Sequence, residues 1–552
     1  MPVEIPDAPQ VAGSTEGVVV AAHPLAAEAG ARMLRAGGNA ADAAVAAAFA
    51  VSVVEPSMNS IGGRSQILWR TAGGQFGGLD ATTQAPMTYD PETAPQASYG
   101  YPTIGIPGVV AGLTRLLEEQ GTMTLQEVMA PAIELAAKGH RILPGEARRH
   151  AAGQDEISEF EGSRAYFLAD DTASRAPGAL FVQRDLAETL TTIASEGPDA
   201  FYQGSLAEAM VADLQAHGAA VTAESLADYK AVDSRIVRGS YRGFELVGTD
   251  LPASGAVTIG ILHVLENFDM ASFDDQEWAA VVGQAVAKGF EYRSMLGTAE
   301  DAARFLDKGF AAQVAAEIQV PGVVMQRAAD WTPPGPARRS ARLAVRSSPR
   351  SVPVDWTGQT WGQNSTHTTH LSTADSSGML VALTQTIGPN LGSKVATPGL
   401  GFLYAATLGG YLGVVEPGER VSSSISPLMV LENGEPRLVL GAAGGARIVS
   451  AVVQAICRFV DQGHSLPDAL AAARVHPTQD GIAMETSPGI GWTDEVVDAV
   501  EGWGTQVSEV EPAGAFGRIH GIFIDPETGE RVGVADPDWE GAAVTVNPGP
   551  GR

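Results

Sequence analysis

Apolar positions along this chain change their spacing about two-thirds of the way from the amino terminus. Before that point helical spacing dominates, and after it alternation with period two takes over. The short apolar run Gly17 to Val20 predicts a buried strand. Leu25 to Arg35 repeats its apolar positions as an amphipathic helix does and is closed by Gly37-Gly38. Asn39 stands where a helix N-cap belongs, ahead of an Ala- and Val-rich stretch that is apolar on nearly all sides. A helix of that kind belongs between layers. Gln66 to Arg70 and Gln75 to Leu79 predict paired strands, and residues from about 110 to 320 alternate helical patterns with loops, among them Leu125 to Ala137 and Leu206 to His217. Thr368 to Asp375, the turn Ser376-Ser377-Gly378, and Met379 to Ile387 then predict a hairpin. A second is predicted from Pro427 to Leu431 and Pro436 to Leu440, joined at Asn433-Gly434. It runs into Gly441-Ala442-Ala443-Gly444-Gly445-Ala446-Arg447, after which Ile448 to Val460 has helical spacing.

At the change of period stands Asn364-Ser365-Thr366-His367-Thr368-Thr369-His370-Leu371-Ser372. The turn-rich, weakly apolar segment from Thr332 to Asn364 precedes it, with Pro333-Pro334-Gly335-Pro336 and Ser347-Ser348-Pro349. Breakage of the His367–Thr368 bond would make Thr368 a new amino terminus. One residue would then hold a hydroxyl nucleophile and, in its α-amine, a base that titrates near ~8. The competing reading takes Thr366, Thr368 and Thr369 as β-branched strand residues only. Gly444-Gly445 favours the chemical reading, because a diglycine where a strand turns into a helix exposes backbone amides to a developing oxyanion. An ordinary tight turn is its alternative. Ser422-Ser423-Ser424 offers further hydroxyls, or a loop cluster.

Composition narrows the partners. A formal charge of -29 over 552 residues argues against nucleic acid and anionic membrane surfaces. The Ala-rich segment from Asn39 to Val54 is about one turn short of the ~20 residues a bilayer requires and carries Asp42. The amino terminus lacks the pattern of a signal peptide, so a cytoplasmic protein is expected. The single cysteine, Cys457, lies in an apolar run and reads as a buried structural thiol. GxSxG, Walker A and HExxH patterns are absent, and His367 with His370 has no further ligands nearby. No metal or cofactor is expected.

In order along nearly its whole length, the chain resembles the γ-glutamyltransferase family. Gly37-Gly38-Asn39-Ala40-Ala41-Asp42-Ala43-Ala44 is similar to that family's GGNAxDAA signature, and Gly105-Ile106-Pro107-Gly108-Val109-Val110-Ala111-Gly112 to its GxPGxxAG segment. Thr368-Thr369-His370 with Ser372 and Asp375 resembles the start of its small subunit, and Ser423-Ser424-Ile425-Ser426-Pro427 its SSMSP motif. Gly444-Gly445-Ala446-Arg447 and Gly533-Val534-Ala535-Asp536-Pro537 are similar to two later motifs. The resemblance implies an α+β fold, a four-layer αββα sandwich of the N-terminal-nucleophile (Ntn) hydrolase type. It implies a zymogen that cleaves itself before Thr368 into a large subunit, 1–367, and a small one, 368–552, intertwined as one domain; the two would form a heterodimer or a higher oligomer of it. It further implies that Thr386 positions the nucleophile, that Gly444 and Gly445 form the oxyanion hole, and that Ser423 and Ser424 touch substrate.

The chain departs from the family's substrate clamp. Where the pattern has an arginine for the glutamyl α-carboxylate, Thr82 stands here. The segment that should carry acids for the α-ammonium reads Leu403-Tyr404-Ala405-Ala406-Thr407-Leu408-Gly409-Gly410. The asparagine expected two residues after Thr386 is Gly388, with Asn390 nearby as the alternative substrate contact. Losing charge-assisted bonds worth roughly 1.5–3 kcal/mol each should remove the preference for γ-glutamyl groups. Ile61-Gly62-Gly63-Arg64 introduces a charge instead: either Arg64 binds a carboxylate of a short acidic acyl group, or it is a surface residue in a salt bridge. The expected activity is hydrolysis or transfer of a small-molecule, non-γ-glutamyl acyl group through acyl-Thr368. Two alternatives remain: removal of an oxalyl-type group by carbon–carbon cleavage in alkylproline antibiotic biosynthesis, as in some relatives, and a silent, unprocessed homologue.

Overall fold

The computed structural model describes residues 1–293, 296, 298–326, 367–511 and 515–547. The turn-rich stretch 332–364 expected ahead of the cleavage site lies outside them.

Two antiparallel sheets are stacked at the centre. The first has the order Ala542–Thr545, Gly17–Ala21, His367–Asp375, Leu380–Gly388, Arg64–Arg70, Phe76–Ala81, Val232–Asp233. The second has the order Val11–Ser14, Arg531–Ala535, Arg518–Ile524, Glu435–Leu440, Leu428–Glu432, Phe244–Thr249, Ile236–Tyr241, with Ala442–Ala443 paired to Arg518–Ile524 beside that path. Residues from before and after Thr368 lie in both sheets.

Strand alternation explains why these strands are buried on both faces. Val18 and Val20 enter an apolar cluster between the sheets with Leu380, Ala382, Met429, Leu431, Val439 and Ile522. Their neighbours Val19 and Ala21, with Val381 and Leu383, face the helices Pro24–Arg35, Ala40–Val54 and Leu125–Lys138. On the far side, Leu428 and Val430 pack against Gly255–Leu265, Asp275–Arg293 and Arg447–Val460. The result is the four-layer αββα sandwich.

Every residue of Ala40–Val54 is buried, as its nearly uniform apolar surface implied. Small side chains let the neighbouring helix approach so closely that a Cβ on Gly30 would lie 2.7 Å from the Ala43 carbonyl. Its start is a capping box: Asn39 Oδ1 accepts from the Ala41 and Asp42 amides, and Asp42 Oδ2 accepts from the Asn39 amide at 2.7 Å. Asp375, at the end of the His367–Asp375 strand, accepts the Ala40 amide at 2.9 Å. Glycine in the Gly105 to Gly112 stretch is likewise a packing requirement, since a Cβ on Gly108 would meet the Ala81 carbonyl at 2.1 Å.

The interval from 110 to 320, expected to hold only helices and loops, also contains the hairpin Ile236–Tyr241 and Phe244–Thr249. Its turn is Arg242-Gly243, both with positive φ. Arg242 is buried against Asp461 at 3.0 Å, which turns a charged turn residue inward. The strands Arg518–Ile524, Arg531–Ala535 and Ala542–Thr545 were not anticipated either. Cys457 is buried, with the Tyr241 hydroxyl 3.1 Å from its sulfur. No described helix is long and apolar enough to cross a membrane.

Candidate active site

The His367–Asp375 strand presents two faces. Thr369 and Thr373 point outward to the helix layer: the Thr369 hydroxyl donates to Glu55 at 3.2 Å and the Thr373 hydroxyl to the Ala40 carbonyl at 2.7 Å. On the neighbouring strand, Gln385 also points outward and donates to the Ala48 carbonyl at 2.9 Å. By alternation Thr368, His370 and Ser372 point between the sheets. His370 Nδ1 is 2.7 Å from the Thr384 hydroxyl, and the Ser372 hydroxyl donates to the His520 carbonyl in the second sheet at 2.9 Å. His370 is therefore part of the packing between sheets.

Thr368 lies at the inward-facing start of this strand, where the pairing register shifts between His367 and Thr369. Its hydroxyl donates to Thr386 Oγ at 3.2 Å. The Thr386 hydroxyl donates in turn to the His367 carbonyl at 2.5 Å and accepts the Gly388 amide at 3.0 Å. A hydroxyl pair is thus aligned on the carbonyl of the His367–Thr368 bond. Thr368 and Thr386 are both buried. The His367 ring has a pKa well below its usual 6.5, through burial first and then the charges of Arg149, Arg518 and Lys394.

Gly441 packs against this face, so closely that a Cβ there would meet the His370 ring at 2.4 Å. The strand Ala442–Ala443 lies beside His367–Asp375 and leads directly into Gly444-Gly445 and the helix Arg447–Val460. Gly444 and Gly445 have φ of 136° and 60°, a conformation that suits glycine, and a Cβ on Gly444 would press on Gly517 at 2.9 Å. Their carbonyls accept the Arg447 and Ile448 amides, while neither glycine N–H donates to a partner among the described residues. Adjacent free amides at a helix start make an anion-binding corner.

Behind the strand is a buried polar network that the sequence reading did not pick out. Glu55 caps the end of Ala40–Val54 and accepts from Thr369 and from Trp539 Nε1, the latter at 3.3 Å. Arg149 and Arg518 flank the Trp539 ring at 4.7 and 3.9 Å. Burial pushes the Glu55 carboxyl up to about 7, opposed by the Arg149 charge. An acid closing a helix that is apolar on nearly all sides was the available signal.

Arg64 is not a surface residue. It is 4 % exposed, paired in register with Thr386, and faces the same side of the sheet. Among the described residues its Nε and Nη1 have no hydrogen-bond partner, and burial lowers its pKa to about 10. Thr82 is fully buried and bonded to Asp80, with its carbonyl accepting from Tyr229 at 2.7 Å. Leu403 to Leu408 is buried and carries no acidic side chain. Ser423 Oγ is used locally, accepting the Ile425 amide at 3.1 Å, and Ser424 accepts from Arg293 at 2.8 Å. Asn390 is not drawn to the hydroxyl pair by a hydrogen bond; its amide donates to the Arg149 carbonyl at 2.8 Å.

Comparison with known proteins identifies the family. A family model described as Gamma-glutamyltranspeptidase matches residues 26–546. The chain is 32% identical to an acylase ACY 1 proenzyme of Pseudomonas sp. (strain SE83), over 98% of this chain and 95% of that one. It is 29% identical to the glutathione hydrolase proenzyme of Escherichia coli (strain K12), over 95% and 90%. The crystal structure of a cephalosporin acylase from Bacillus halodurans superimposes with a TM-score of 0.84 at 25% identity, covering 98% of this chain and 97% of that one.

Proposed function

The chain belongs to the gamma-glutamyltranspeptidase family of N-terminal-nucleophile hydrolases and acyltransferases, and from that premise we propose that it cleaves itself before Thr368 and then hydrolyses or transfers a short acidic acyl group other than γ-glutamyl. The observation that carries the reading is the hydroxyl chain Thr368 to Thr386 to the His367 carbonyl.

In the intact chain Thr368 Oγ attacks the His367 carbonyl carbon. The Thr386 hydroxyl, already bonded to that oxygen, takes part of the developing negative charge. The C–N bond breaks as the proton lost by the Thr368 hydroxyl passes to the departing nitrogen, leaving His367 as an ester on Thr368 Oγ and a free Thr368 α-amine. Water hydrolyses the ester and releases subunits 1–367 and 368–552. In the mature enzyme the same hydroxyl attacks a substrate carbonyl, and the α-amine accepts its proton directly or through water. The Gly444 and Gly445 amides stabilise the oxyanion, the leaving group departs with a proton, and acyl-Thr368 passes to water or an acceptor. Arg64, beside Thr386 and with Nε and Nη1 free of partners among the described residues, supports an acyl group that carries a carboxylate.

Denaturing electrophoresis should show fragments corresponding to 1–367 and 368–552, and Thr368→Ala should remain whole. Mass spectrometry of the small subunit after incubation with acyl amides should find the adduct on its first residue. A persistent full-length band with no adduct would point to a silent homologue and overturn the reading.

A further inference from the structure

The helix Pro144–Ala152 carries a buried acid that the mechanism leaves unused. Glu146 is 1 % exposed. Its carboxylate accepts the Ser57 amide at 3.0 Å, the Ser57 hydroxyl at 2.6 Å and Arg149 Nη2 at 2.7 Å, with His150 Nε2 2.8 Å from Oε1. Arg149 Nε donates to the same Ser57 hydroxyl at 2.7 Å, which closes a ring of three buried side chains. Burial alone would raise the Glu146 carboxyl. The charges of Arg149 and His150, with the hydrogen bonds, outweigh burial and hold its pKa well below the usual 4.5, so the acid is ionised.

Both partners of Glu146 reach the chain that follows Thr386. The Ser57 carbonyl accepts the Leu391 amide at 2.9 Å, and the Arg149 carbonyl accepts from Asn390 Nδ2 at 2.8 Å. The helix end lies against the same stretch: a Cβ on Gly153 would be 2.5 Å from Leu391 Cδ1 and 3.2 Å from Asn390 Nδ2. Leu391 and Lys394 have φ of 58° and 64°, which side chains of their size rarely adopt. Backbone of that kind keeps its shape only where its surroundings hold it. Gly388 stands directly before this turn, and its amide donates to Thr386 Oγ at 3.0 Å, fixing the hydroxyl that points at the His367 carbonyl.

We propose that Glu146 is a positioning residue for Thr386: through Ser57 and Arg149 it clamps the turn from Pro389 to Lys394, and so sets the rates of self-cleavage and turnover without touching the reacting atoms. This rests on the reading of Thr368 as nucleophile and Thr386 as its donor. A carboxylate suits the task because its two oxygens hold an amide, a hydroxyl and a guanidinium together. Without its charge, Arg149 is left with Glu55 at 3.7 Å, and both attachments of the turn slacken.

The test reads self-cleavage of the full chain, which needs no substrate, as a time course of band conversion, and then assays matured protein with succinyl-p-nitroanilide. Ser57→Ala removes the shared hydroxyl and should slow processing by about 10-fold. Glu146→Gln should slow it by about 10- to 100-fold, with partial recovery in Glu146→Asp. The double variant should be no slower than Glu146→Gln, because both changes act through one clamp. In matured protein kcat should fall while KM holds. Ile157→Val, in the apolar cluster that also contains Leu391, is the control: it should lower the denaturation midpoint and leave the processing rate unchanged. Processing as fast as the parent's in both Ser57→Ala and Glu146→Gln overturns the clamp, as does a rise in KM alone or a rate in Ile157→Val that falls with its stability. Should circular dichroism show Glu146→Gln unfolded, Ser57→Ala decides by itself. A parent chain that never cleaves would overturn the nucleophile instead.

Discussion

The two faces of the His367–Asp375 strand carry the same residue types to different ends. Outward, Thr369 and Thr373 each find one fixed partner, Glu55 or the Ala40 carbonyl, and both hydroxyls hold the strand against its helix layer. Inward, Thr368 meets Thr386, which reaches the His367 carbonyl, and among the described residues the Gly444 and Gly445 amides and two nitrogens of Arg64, opposite Thr386, have no partner. Buried polar groups are normally paired. The face whose donors are unspent is therefore the one available to a reacting anion, while the satisfied face supplies rigidity.

The sharpest way to break this contrast is to remove each hydroxyl in turn. Thr368→Ala should abolish self-cleavage and lower hydrolysis by at least about 10³-fold, read by electrophoresis and by anilide turnover. Thr386→Val, which removes the donor to the scissile carbonyl, should slow processing by about 10²- to 10³-fold in a time course of band conversion. Processing as fast as in the parent would detach Thr386 from the reaction.

The outer face should respond in stability and not in chemistry. The Glu55 carboxyl is raised from its ordinary value of 4.5 to about 7. The folded state therefore holds this proton more tightly than the unfolded chain. The contribution favours folding fully below about pH 4.5 and is lost as pH rises through about 7. Glu55→Gln should remove that loss, so its denaturation midpoint should gain on the parent's between pH 5 and 8, by on the order of 1–3 kcal/mol. A parallel pair of pH profiles would show that Glu55 does not titrate there. The smallest effect is expected for Thr369→Val, which gives up one hydrogen bond worth about 1 kcal/mol and leaves cleavage at Thr368 in place. A block in processing would show that the outer face also sets the reaction geometry.

Much of this contrast was visible in the sequence, but unevenly. The alternating run after His367 and the diglycine before an amphipathic helix both predict their local structure, because period and glycine placement are local properties. Asn39 and Asp42 announced a capped helix for the same reason. The hairpin Ile236–Tyr241 and Phe244–Thr249 was hidden because its turn residue Arg242 is buried with Asp461, a pairing made only in three dimensions. Arg64 could be read either as a surface charge or as a pocket residue until the register placed it opposite Thr386.

The order of residues alone offered a nucleophile candidate, a candidate pair of oxyanion donors and a departure from the residues of the family's glutamyl clamp, since each depends on residue identity at motif positions. Folding decided which hydroxyl faces the inter-sheet space, that Arg64 stands opposite Thr386 on the same side of the sheet, and that Glu55 supports the strand from behind. Those outcomes depend on sheet register and helix packing across hundreds of residues, where a shift of one position would send every side chain to the opposite face.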